Sequence, residues 1–181
     1  MSLDCYVKMR THFGVELRPH LIDGAIELLE HNITADTEVL EIGAGSSTVW
    51  FAEHAGHVTS FENNRDFYNT VLEELVARGL DNVQLQFMPD YPTKGIGIKG
   101  VDLFDVIVID GRGRVHCVQE CYKLLAPGGL LVLDDSQRPK YKTAINLLDG
   151  LGWECRHFEI DFTNDYGYRP RTSVWRRGKK C

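Results

Sequence analysis

Val39-Leu40-Glu41-Ile42-Gly43-Ala44-Gly45-Ser46-Ser47-Thr48 is the stretch from which the rest of the chain can be read. Val39 to Ile42 reads as a first strand. Two glycines follow, one residue apart, and then a run of hydroxyl residues. Glycines after a strand let the backbone turn tightly and approach a ligand, and the helix that begins next presents free N–H groups. Ser46 or Ser47 reads as the cap of that helix, which runs through Val49, Trp50, Phe51 and Ala52. A dinucleotide-binding turn would continue G-x-G-x-x-G, but Thr48 stands where the third glycine would be. His57 to Phe61 reads as a second strand, and Glu62 ends it, 19 residues beyond Gly43. A carboxylate at that place can accept both hydroxyls of a ribose.

Upstream, Pro19 suits a first helical turn, and Leu21, Ile22, Ala25, Ile26, Leu28 and Leu29 recur at helical spacing to about Glu30. Downstream, a helix is expected from Arg65 to Arg78, with Phe67, Val71 and Leu75 on its apolar side and Gly79 as its stop. Val83, Leu85 and Phe87 alternate with Gln84 and Gln86, which is the pattern of a half-buried strand near a sheet edge. Val106 to Ile109 and Leu130 to Leu133 are unbroken apolar runs, which implies burial on both faces at the sheet centre. Met88 to Asp105, with Gly95, Gly97 and Gly100, reads as a loop. Helices are expected at about Val115 to Leu125 and Tyr141 to Leu151, with Pro127-Gly128-Gly129 turning the first back into the sheet. Trp153 to Phe162 and Thr172 to Arg177 read as strands joined by Thr163 to Pro170, an antiparallel hairpin. The helical aromatics Trp50, Phe67 and Tyr122 are expected in the core.

At 181 residues the chain has the length of one domain, and 43% apolar with 25% charged residues excludes disordered and collagen-like chains. No apolar run approaches membrane-spanning length, and the first 14 residues lack a signal-peptide core and show no clear period. Cys5, Cys117, Cys121, Cys155 and Cys181 form no metal spacing and are odd in number, so free thiols and a cytoplasmic location are expected. The net charge of −6 conceals a basic end. Residues 166–181 carry six cations and no acid, leaving −12 on the rest. An acidic body argues against a dedicated nucleic-acid binder.

The combination resembles the class I S-adenosylmethionine-dependent methyltransferases. Glu41, Gly43 and Gly45 match that family's E/D-x-G-x-G motif, and Glu62 its ribose-binding acid. Phe104 to Gly111, FDVIVIDG, resembles its fourth-strand motif, and Leu124 to Gly129, LLAPGG, its "LLKPGG" turn. The terminal hairpin corresponds to its inserted antiparallel strand. The resemblance covers about Ala35 to Arg177 and implies an α/β Rossmann-like, doubly wound sheet of the seven-stranded methyltransferase type. Residues 1–34 would form an N-terminal arm and helix covering the site, and 35–181 the donor-binding domain. The donor would lie on Glu41, Gly43, Ala44, Gly45, Ser46, Ser47, Glu62, Asn63, Pro89, Asp90 and Asp110. The loop after the third strand departs from the family's usual helix.

Asp110-Gly111-Arg112-Gly113 lacks the N/D-P-P-Y of the amino-group methylases of nucleic-acid bases and of glutamine, which speaks against that subclass; the expected reaction is methyl transfer to oxygen of a small molecule. Asp110, Arg112 and Asp134 are the candidate catalytic groups. Asp110 with Asp134 and Asp135 also resembles the acidic set that holds a divalent cation in catechol-type O-methyltransferases, although the last position there is usually Asn. Mg2+ at these three residues is therefore one expectation. Helix capping or donor orientation by Asp134 and Asp135 is the other. Arg112, Arg114, Arg138 and Lys140 follow the acids closely and suggest an anionic acceptor, or else simply balance the carboxylates. His116 lies close enough to serve as a base. Little sequence remains for a substrate domain, so the acceptor pocket would come from the N-terminal arm, loops, or a second subunit of a homodimer. A non-catalytic donor-binding module stays open, as does a nicotinamide-dependent oxidoreductase, against which Thr48 and the hairpin speak.

Overall fold

The computed structural model describes residues 17–91, 103–161, 167 and 169–179. In chain order its elements are α1 (Asp23–Glu30), β1 (Glu38–Ile42), α2 (Ser46–His54), β2 (His57–Glu62), α3 (Arg65–Arg78), β3 (Val83–Phe87), β4 (Phe104–Ile109), α4 (Arg114–Cys121), β5 (Leu125–Leu133), α5 (Lys142–Asp149), β6 (Glu154–Glu159) and β7 (Arg171–Arg176). They build a seven-stranded sheet in the order β3-β2-β1-β4-β5-β7-β6. The first five strands pair in parallel, while β7 runs antiparallel to both of its neighbours, β5 and β6. This is the parallel sheet closed by a hairpin that the strand patterns imply, with β3 at the edge.

Strand alternation decides what each sheet face holds. Leu40, Ile42, Ile107, Ile109, Leu131 and Leu133 meet Cys117, Val118 and Cys121 of α4 and Ala144 and Leu148 of α5. Their sequence neighbours Val39, Val106, Val108, Leu130 and Val132 meet Ala25, Ile26 and Leu29 of α1 and Trp50 and Phe51 of α2 on the other face. Both faces of the central strands are thus buried, which is why their sequences are unbroken apolar runs. Trp50 is core as expected, and Tyr122 packs partly buried against the cluster on the opposite sheet face.

Several boundaries differ from the sequence reading, each for a local reason. The first helix begins at Asp23 rather than near Pro19. Ile22 is extended, and its N–H donates to Thr172 Oγ1 at 3.2 Å, so the chain here is tied to β7 before any helical turn forms. The helix after β4 stops at Cys121, and Pro127-Gly128-Gly129 lies inside β5 rather than before it. That segment carries a register shift against β4 between Phe104 and Val106. It is held from the other side, where Gly128 N–H donates to Arg177 O at 2.9 Å and Arg177 N–H to Gly129 O at 3.0 Å. The last helix and β6 are shorter than expected. Gly79 ends α3 in the left-handed region at φ 68°, the conformation its missing side chain makes accessible. The N-terminal 14 residues, the loop glycines Gly95, Gly97 and Gly100, and most of the Thr163–Pro170 connection lie outside the described residues. No helix among the described residues is long and apolar enough to cross a membrane.

Candidate active site

The chain runs outward from β1 through β2 to β3 and then crosses back to β4 on the other side of β1. Loops leaving β1 and β4 therefore diverge, and such a switch point opens a crevice at the carboxyl ends of the strands. The two loops share the end of β1, because Asp110 N–H and Gly111 N–H both donate to Ile42 O, at 3.0 and 2.6 Å. Gly43 is required here on two counts. Its φ is 101°, and a Cβ on it would lie 2.6 Å from Gly111 Cα and N. Above this contact lies a cavity of about 810 Å3. Gly43 to Ser47, Glu62, Asn63, Asn64 and Phe67 form one wall. Asp110 to His116, Gln119, Arg138, Lys140 and Tyr141 form the other, with His20 at the rim. Phe67, expected in the core, faces this cavity instead.

Glu41 is fully buried and does not line the cavity. It accepts hydrogen bonds from Ser47 Oγ at 2.5 Å on one oxygen, and from Thr48 Oγ1 at 2.5 Å and Ser60 Oγ at 2.6 Å on the other. It therefore pins the first turn of α2 to β2 from beneath. Burial pushes its carboxyl up to about 7, against the opposing pull of the three hydroxyls. Neither Ser46 nor Ser47 caps α2. Gly45 is the N-cap, its N–H donates to Thr48 Oγ1 at 2.9 Å, and Ser46 Oγ donates to Arg18 O at 2.9 Å. Both serines lie inside the helix, and their hydroxyls donate to Arg18 O and Glu41 instead of accepting first-turn N–H groups.

Glu62 is nearly buried at the end of β2, and its Oε1 accepts Asn64 N–H at 2.6 Å. Burial pushes this carboxyl up, while the N–H groups of Asn64, Asn63 and Ala44 and the charge of Arg112 hold it partly down. Asn64 in turn caps α3 by accepting Asp66 N–H and Phe67 N–H. Tyr91, fully buried, joins the two walls. Its hydroxyl accepts Arg112 N–H at 3.3 Å and donates to Asn63 Oδ1 at 3.5 Å. Sequence reasoning missed Tyr91, whose only signal is its place just past the carboxyl end of β3. Pro89 and Asp90, on the same connection, are exposed and outside the lining.

Of the three aspartates at the ends of β4 and β5, Asp110 alone lines the cavity. Burial and the neighbouring Asp134 push its carboxyl up, against the pull of Arg114. Asp134 turns to β7 and accepts Thr172 Oγ1 at 2.7 Å. Asp135 pairs with Arg138 Nη2 at 2.6 Å. The guanidinium of Arg114 lies among all three carboxylates, 2.8 Å from Asp110 Oδ1, 3.5 Å from Asp134 Oδ2 and 3.4 Å from Asp135 Oδ2. The place expected for Mg2+ thus holds a side-chain cation, and these residues do not fit a metal ion. Arg114 also leaves the expected acceptor-binding set, since its charge is turned inward. On α4, His116 Nε2 lies 3.6 Å from Glu120 Oε1. Cys117 and Cys121 are buried, as their shared helix face implies.

The chain is similar to proteins named as methyltransferases. No family model matches the chain. A protein of Methanobrevibacter smithii named "Probable cobalt-precorrin-6B C(15)-methyltransferase (decarboxylating)" is 28% identical over 145 residues, 77% of this chain and 75% of its own. Protein-L-isoaspartate O-methyltransferase 1 of Rhodopseudomonas palustris is 33% identical over 121 residues, 64% of this chain and 45% of its own. The crystal structure of an S-adenosylmethionine-dependent O-methyltransferase from Thermotoga maritima superposes with a TM-score of 0.67 at 15% identity, covering 100% of this chain and 73% of that one.

Proposed function

We propose that the chain is a class I S-adenosylmethionine-dependent methyltransferase that methylates an oxygen of a small anionic acceptor. The observation that carries this reading is the pairing of walls across one cavity. Gly43 to Ser47 and Glu62 face Asp110, Arg138 and Lys140. The first wall fits the donor. A Cβ on Gly45 would meet nothing nearer than Ser47 Oγ at 3.9 Å, so its backbone is open to a ligand. Glu62 offers a carboxylate to a ribose, and the charge of Arg112 works against the upward push of its burial. When bound, S-adenosylmethionine supplies an electrophilic methyl group on a sulfonium.

The chain's own contribution is alignment and charge. Holding the acceptor in line with that methyl can supply roughly 7–11 kcal/mol of the barrier. Arg138 and Lys140 lie on the acceptor side of the cavity, and a planar guanidinium meets two anion oxygens at once. Asp110 lines the cavity as the partner of Arg114, and its carboxylate form is placed to take a hydroxyl proton, a step worth roughly 10²–10⁴ in rate. Asp134 supports Asp110 from outside the cavity. The Methanobrevibacter relative is named for a carbon acceptor and the Rhodopseudomonas relative for an oxygen one. The base beside the cations favours oxygen here.

The test is methyl transfer from labelled donor to paired acceptors, hydroxyl compounds with and without a carboxylate or phosphate, followed by mass spectrometry. The anionic member of each pair should be preferred. Equal or better turnover of the neutral members would overturn the reading.

A further inference from the structure

Arg114 is the first residue of α4, and only 7% of it is exposed. Each nitrogen of its guanidinium has an acceptor on the loops that end β4 and β5. Nε donates to Gly111 O at 3.0 Å, and Nη2 to Asp110 O at 2.7 Å and Asp110 Oδ1 at 2.8 Å. Nη1 donates to the Asp134 carbonyl. The Asp134 and Asp135 carboxylates close the surround at 3.5 and 3.4 Å. Asp135 takes its place at φ 53°, the only non-glycine residue described with a positive φ. A left-handed aspartate is strained, and strain of this kind persists only where its surroundings hold it. Here the return is a carboxylate placed between Arg114 and Arg138, whose Nη2 lies 2.6 Å away.

A hard divalent ion asks for six or more oxygens at roughly 2.0–2.6 Å. The three carboxylates are not gathered into such a ligand set among the described residues, a guanidinium already lies among them, and a second cation would meet its charge at close range. We propose that Arg114 is the resident cation of this site, neutralising Asp110, Asp134 and Asp135 and locking the two strand-end loops, so that methyl transfer here needs no metal. Arg114 acts as a positioning residue. It holds one oxygen of Asp110 inward and leaves that carboxyl's other side on the cavity. The statement about metal binding stands on these distances, and the statement about turnover rests on the methyltransferase reading.

The test uses the full chain. Mn2+ binding is followed by electron paramagnetic resonance, and thermal unfolding is followed with chelator or with Mg2+. The wild type should bind no Mn2+ at the aspartates, show no Tm shift between chelator and Mg2+, and keep its turnover after chelation. Arg114→Ala uncovers the three carboxylates. It should lose Tm in chelator, bind one Mn2+ and recover Tm by several degrees with it. Arg114→Lys should recover Tm without metal and stay blind to Mn2+, and it keeps the test open if Arg114→Ala does not fold. Stoichiometric Mn2+ binding by the wild type that Asp135→Asn abolishes would overturn the proposal. So would turnover lost on chelation and restored by Mg2+, or a folded Arg114→Ala that binds no Mn2+. If no acceptor is methylated, the binding and Tm readouts still decide the role of Arg114, and the functional reading fails by itself.

Discussion

Replacing Glu41 by glutamine should change how stability depends on pH, by an amount the structure fixes. The carboxyl titrates at 4.5 in an open chain and at about 7 in the fold, because burial raises it further than three hydroxyl donors lower it. Between those values the folded chain keeps a proton that the unfolded chain has released. The stability from this group is therefore whole below pH 4.5 and is lost as pH rises through about 7. Each pKa unit corresponds to about 1.4 kcal/mol, so the whole loss is roughly 3 kcal/mol. Glutamine keeps the shape and carries no titrating proton. Glu41→Gln should accordingly gain on the wild type by up to about 3 kcal/mol between acid and about pH 8. Any constant cost of the amide adds equally at every pH and drops out of that slope. Asp110 and Asp134 are also raised, but they are shared by both chains and cancel in the difference, whereas Glu62 repels Glu41 and belongs to the titration being compared. The assay is urea unfolding at a series of pH values, read by the fluorescence of the buried Trp50 and Trp175. Parallel stability profiles for the two chains from about pH 5 to 8 would refute the reasoning and make Glu41 an ordinary ionised carboxylate.

Glu62→Ala removes a nearly buried acceptor from the donor wall, at a cost of about 1–3 kcal/mol, so calorimetry should show donor Kd rising about 5- to 150-fold. Unchanged affinity would take Glu62 out of the site. Gly43→Ala places a Cβ 2.6 Å from the Gly111 backbone at φ 101°, and both stability in urea and donor affinity should fall, the former by about 1–3 kcal/mol. A variant equal to wild type in both would mean that the two loops do not meet as described. Arg138→Lys keeps the charge and loses the fork, so KM for an anionic acceptor should rise while donor Kd holds. A matched fall in donor affinity would place Arg138 on the donor side instead.

The fold was legible because its signals repeat along each element. Val106 to Ile109 and Leu130 to Leu133 can lie nowhere but the sheet centre, and Gln84 and Gln86 mark β3 as an edge strand. The turns were less legible, since their bonds come from distant residues. Nothing near Gly128 announces that Arg177, just past the end of β7, will hold it inside β5.

At the site, the glycines could be placed from spacing alone, but the direction of each charged side chain could not. Glu41 sits in motif position, yet it shares a strand face with Val39 and so points to α2 rather than into the cavity. That much follows from alternation, and it was the readable clue. Arg112 and Arg114 stand two residues apart, and nothing in their composition separates them. What separates them is the helix start. Gly113, in the left-handed region at φ 63°, is the N-cap, and Arg114 opens α4 exactly four residues after Asp110. From that first helical position Arg114 folds back over the Asp110–Gly113 loop and pairs with Asp110 at 2.8 Å, whereas Arg112 remains on the loop beside Glu62. The acidic cluster and the cation that fills it are thus written in one short run, Asp110 to Arg114, with Asp134 and Asp135 brought up by the pairing of β4 with β5.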